Sequence, residues 1–137
     1  MRYKAVRAVL LLPWLAIAAV RVSIGYRGRR LDDLALWLGH APKLPVALRD
    51  PRLIAAMVSH AVPLLPPRTM GRCLKRSLIL LDLWSRCGLT PALHIGIGGT
   101  GDARICHAWV TALDHSSPPP EAGCFTEIFT LPARSFG

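Results

Sequence analysis

The stretch GRCLKRSLILLDLWSRCGLTPALHIGIGG, residues 71–99, decides how the rest of the chain is read, together with HAWV at 107–110. Leu74, Leu78 and Leu81 recur at helical spacing, and Ile79, Leu80, Leu83 and Trp84 widen the apolar surface. The spacing predicts a central, largely buried helix over 72–87, closed by Gly88 in the left-handed cap position and by Pro91 beyond it. Lys75, Asp82 and Arg86 read as its charged face. After the helix, TPALHIGIG, ICHAWVTAL and CFTEIFTL are short β-rich runs separated by GTGDAR and DHSSPPPEAG. Helices first and strands later indicate an α+β fold, with a small antiparallel sheet packed on the helix that begins at Cys73.

Working outward, residues 1–62 form a helical, apolar and basic N-terminal region, and 63–137 form the core that carries the chemistry. The first region reads as helices broken by Pro13, Gly25, Gly28, Gly39 and the HAPKLP turn. In DPRLIAAMVSHAV, Asp50 is the expected N-cap and Pro51 the first helical residue. PLLPPRTMG, 63–71, is a rigid loop. The basic start MRYKAVR and the apolar run from Ala8 to Val20 resemble a signal peptide. That run is shorter than the roughly 20 apolar residues that a bilayer span needs. Two other readings are a helix kinked at Pro13 and packed on the domain, or one laid on a membrane surface. The amphipathic RVSIGYRGRRLDDLALWLG follows where a cleaved signal would be followed by a polar spacer. An uncleaved helix and a cytoplasmic protein, with membrane association left open, are therefore expected.

The chain has 137 residues, with 17 Lys and Arg against 8 Asp and Glu, so it carries +9. The length suits one domain, and the charge suits an acidic partner or surface. Aromatic residues are few and no RNP-like or zinc-finger pattern occurs, so no nucleic-acid partner is assigned. Cys73, Cys87, Cys106 and Cys124 form no C-x-x-C pair and match no zinc spacing. Two disulfides are arithmetically possible in a secreted chain, whereas free thiols fit a reducing cytoplasm. IGGTGDAR lacks the lysine and the strand–helix setting of a phosphate loop. Nothing in the sequence calls for a metal or an organic cofactor.

At Cys73 the unpaired N–H groups and positive dipole of a first helical turn would stabilise an anion, with Arg72, Lys75 and Arg76 adding positive charge. The same N–H groups could donate to an oxyanion when a carbonyl is attacked. A strand histidine such as His107 could take the thiol proton and return it to a leaving amine, and a carboxylate could hold its tautomer. The combination CLKRSLILLDLWSRCGLTPALHIGIGG…HAWV resembles the transglutaminase-like leader peptidases of lasso-peptide clusters, over about half the chain. The resemblance implies a cysteine protease, with Cys73 as nucleophile and His107 as general base, that removes the leader from a ribosomally made precursor peptide. It also implies a small separate leader-binding protein and an ATP-dependent cyclase that acts on the freed amine. The family pattern continues HAWVE-x-DG with a later Asp, whereas this chain has Thr111 and a proline at the expected acidic site. Asp114 is then the third catalytic residue, with Glu121 its close rival.

Each of these residues also has a plainer reading. Cys73 could be a small buried hydrophobe and His107 a core histidine. Trp109 reads as core packing under its strand, His94 as facing the other side of the sheet, and Cys87 as structural. Arg72, Lys75 and Arg76 read as solvated or as facing an acidic leader. Two rival functions stay open: an amide transferase on the same fold, and a membrane-apposed interaction subunit whose catalytic site has decayed.

Overall fold

In the computed structural model, which describes residues 2–65, 72–98, 105–112, 115–117 and 125–131, four helices precede a four-stranded sheet. The helix that organises the molecule, α4 (Arg72–Arg86), is buried nearly all round: from Ser77 to Arg86 every residue is enclosed. Around it pack α1 (Arg2–Gly28), α2 (Leu31–Leu38) and α3 (Pro51–Ala61). Its C-terminus closes as expected, with Gly88 at φ 89 and the Gly88 N–H donating to the Ser85 carbonyl at 3.0 Å. Asp50 caps α3, accepting a bond from the Leu53 N–H at 3.2 Å, and Pro51 opens the helix.

The strands are β1 (Ala92–Gly98), β2 (Ile105–Ala112), β3 (His115–Ser117) and β4 (Phe125–Leu131), in the order β3-β2-β1-β4. The pairings are antiparallel, so the α+β expectation holds for these elements. β3 lies inside DHSSPPPEAG, which reads from sequence as a loop. Leu93 pairs with Val110 and Ile95 with Ala108 on the face turned to α4. One contiguous core runs from Leu11 in α1 through Leu34, Ile54 and Leu78 to Ala112 in β2.

Two expectations for the N-terminal region fail. α1 runs unbroken through both Pro13 and Gly25. Pro13 is exposed, so its ring and the carbonyl it leaves without a helical donor lie on the outer side of α1, away from the core. Gly25 is buried where α2 folds back. A Cβ there would lie 2.6 Å from Leu34 Cδ1 and 2.8 Å from Trp37 Cζ3, so close packing, not helix breaking, accounts for this glycine.

The charged face expected on α4 is not a solvated one either. Asp82 is fully buried; Arg86 Nε donates to its Oδ1 at 2.6 Å, and Arg21 of α1 pairs with its Oδ2 at 3.2 Å. Arg86 also donates to the Pro42 carbonyl and lies over the Trp14 ring. Arg21 donates to the Trp37 carbonyl and lies over that ring. Burial raises the Asp82 carboxyl pKa from its ordinary value, opposed by both guanidiniums. Lys75 is buried too, with Nζ donating to the Leu65 carbonyl at 2.8 Å. These charges tie helices together and are shielded from water.

Candidate functional site

Cys73 is the second residue of α4, so its thiol belongs to a turn whose backbone N–H groups have no earlier helical carbonyls to bond. The side chain is half-buried and the thiol is free. It lines a cleft of about 140 Å³ with Arg72, Arg76, Ser59, Val62 and Pro63. The cleft is thus cationic along α4, with the hydroxyl-bearing Ser59 of α3 and the apolar Val62 and Pro63 just beyond α3 completing its lining. Arg76, one turn beyond Cys73, has a buried Nε that finds no hydrogen-bond partner among the described residues. A buried guanidinium N–H without an acceptor is costly, and a carbonyl or carboxylate oxygen entering the cleft would relieve it.

His107 is the third residue of β2 and is only 4% exposed. Its pKa is lowered from the ordinary value, first by burial and then by the positive charge of Arg76. Arg76 lines the Cys73 cleft and its charge also bears on His107. The lowered pKa keeps the imidazole neutral at pH 7, the form that can accept a proton.

The surroundings of His107 differ from the sequence reading. Trp109 is not packing in the core under its strand. It stacks on His94 at 5.5 Å between ring centroids and on His107 at 6.3 Å, on the face opposite Ala108 and Val110. His94, between the core-facing Leu93 and Ile95, lies on the other side of the sheet as expected, and so shares the face of Trp109 and His107, where its Nε2 lies 2.7 Å from Thr111 Oγ1. The cause is register: His94 sits directly across from Trp109, and residues opposite each other in a ladder share a face. Trp109, itself backed by His94, thus supports the His107 imidazole laterally.

Asp114 and Glu121 both lie outside the described residues. The register adds an acidic position that the sequence did not single out. Gly96 of β1 lies across from His107, and Glu127 of β4 lies across from Gly96. A register shift between Ile95 and Gly96 brings Glu127, in place of Ile128, into that row. Alternation in CFTEIFTL could not reveal it, because a bulge is a property of the pairing.

The other thiol with a described side chain is a contrast. Cys87, just past α4, has its pKa pushed up to about 11 by burial. That fits its reading as structural. A recess of about 280 Å³ at that end of α4, lined by Lys43, Ser85 and Thr90 among others, contains neither Cys73 nor His107. Among the described residues no group of three His, Cys, Asp or Glu side chains could hold a metal ion.

A sequence profile described as the Transglutaminase-like superfamily matches residues 14–130. The chain belongs to that superfamily. The match runs from the middle of α1 through α4 and the sheet to within one residue of the end of β4. Membership points to chemistry of the cysteine-peptidase or acyl-transfer type. No curated protein and no solved structure matches the chain.

Proposed function

We propose that the protein is a cysteine peptidase that removes the leader from a ribosomally made precursor peptide in lasso-peptide maturation. The observation that carries this reading is Arg76, which lines the Cys73 cleft at the start of α4 and whose charge helps lower the pKa of the buried His107. His107 takes the Cys73 proton and the sulfur attacks the scissile carbonyl. The oxyanion is met by backbone N–H groups at the start of α4. His107 then passes the proton to the leaving amine, and water hydrolyses the thioester to free the enzyme. Asp114 is the proposed third residue, orienting the imidazole; Glu121 and Glu127 are the carboxylates against which it is to be tested. A cationic cleft suits an acidic leader, presented by a small leader-binding protein, and the freed amine passes to an ATP-dependent cyclase. In this reading the protein works in the cytoplasm.

The test is mass spectrometry of a precursor peptide incubated with the protein and its leader-binding partner. Wild type should cut one bond, and Cys73→Ala should lose on the order of 10⁴ in rate or more while keeping its fold. An added amine that replaces water in the product would assign the protein to amide transfer instead. No cleavage by folded wild type with the partner present would assign it to a decayed subunit.

A further inference from the structure

We propose that the outer face of α1 docks on an anionic lipid surface, a property separate from the peptidase reading. α1 is apolar on two sides. Leu11, Leu15, Ala18, Ala19, Val22 and Gly25 are buried in the core. On the opposite side Val6, Leu10, Pro13, Ile17, Val20 and Ile24 are all exposed, with Val9 beside them at 63%. Their spacing alternates four and three residues, which makes one straight stripe about 27 Å long at 1.5 Å per residue. A neighbouring apolar recess, lined by Leu12 of α1 and Leu53 and Met57 of α3, extends the same kind of surface.

The charges identify the occupant. α1 contains no Asp or Glu. The stripe's own spacing continues to Arg2 at one end and Arg27 at the other, both exposed, with Lys4 and Arg29 close by. Among the described residues Arg2, Lys4 and Arg27 form no ion pair, whereas Arg7 is engaged by Asp50 and Arg21 by Asp82. A second copy of α1 would set arginine against arginine in a parallel or an antiparallel pair, with no carboxylate to relieve either. Anionic headgroups supply what the stripe lacks: apolar depth under its middle and negative charge at both ends. By length and composition α1 could also cross a bilayer. A crossing would strip Leu15, Ala18 and Val22 from the core, so the helix lies flat, with its domain above the headgroups.

The experiment is flotation of the full chain with vesicles of phosphatidylcholine alone and of phosphatidylcholine mixed with phosphatidylglycerol. Sedimentation velocity gives the oligomeric state. The expected result is a monomer that floats with the anionic vesicles only and releases as salt is raised. Val9→Glu with Ile24→Glu should abolish flotation while leaving the far-ultraviolet circular dichroism unchanged, since both side chains are exposed. Arg2→Gln and Arg27→Gln should each weaken binding about fivefold. The proposal is overturned if wild type does not float with anionic vesicles, or floats equally with neutral ones. It is also overturned if the glutamate variant floats as wild type does, or if wild type is a dimer that this variant splits without any vesicle binding.

Discussion

The two ends of α4 carry similar residues and put them to opposite use. At the C-terminal end Arg86, joined by Arg21 from α1, closes on a fully buried Asp82, and the two guanidiniums also donate to the Pro42 and Trp37 carbonyls and lie over the Trp14 and Trp37 rings. At the N-terminal end Arg72 and Arg76 line an open cleft with Cys73, and no carboxylate among the described residues meets them. The thiols follow the same division. Cys87 is held protonated by burial, whereas Cys73 sits where backbone N–H groups face outward. A charge cluster closed on itself fastens helices, and one left open awaits an external oxygen. The difference lies in the presence of a carboxylate, not in the number of arginines.

The largest effect should come from opening the closed end. Asp82→Asn leaves two guanidiniums in the core facing a neutral amide. It should cost about 3–5 kcal/mol in urea denaturation, as removal of one partner of a buried pair does. A loss below about 1 kcal/mol would mean that the cluster is hydrated and holds little together. Next comes the open end. Arg76→Gln should lower kcat/KM about tenfold to a hundredfold, the worth of one hydrogen bond to a charged group. It should also move the acid limb of the pH profile. A nearby cation disfavours the protonated imidazole, so wild type loses activity only as pH falls through a His107 pKa below 6.5. Without that cation the limb should shift upward, burial still holding it beneath the ordinary value. A limb that stays in place would separate Arg76 from His107. The smallest effect is expected at Cys87: Cys87→Ala should change stability by about 1 kcal/mol and leave turnover as it was. Any loss of turnover would erase the functional contrast between the ends.

What could be read in the sequence follows the range of the interactions. The bounds of α4, the Asp50 cap and three of the four strands depend on local spacing and punctuation, and the structure keeps them. Cys73 at a helix start and His107 in a strand were legible for the same reason. The misreadings involve partners distant in sequence. Asp82 and Arg86 looked like a polar face because Arg21 and Pro42, which enclose them, lie far upstream. Gly25 looked like a breaker because Leu34 and Trp37, which crowd it, belong to the next helix. His94 and Trp109 meet only through strand register, and Glu127 enters the His107 row only through a bulge. Asp114 and Glu121 lie outside the described residues.

The most direct test of the contrast between the two ends is a brief treatment of the native protein with iodoacetamide at pH 7, followed by peptide mapping of each cysteine. With a pKa of about 11, Cys87 presents only about one thiolate in 10⁴ at that pH and should stay unlabelled. Cys73 should take up the label well ahead of it, and occupation of the cleft by precursor peptide should slow that labelling. Label on Cys87 as fast as on Cys73, or a Cys73 as inert as Cys87, would contradict the assignment of chemistry to the start of α4.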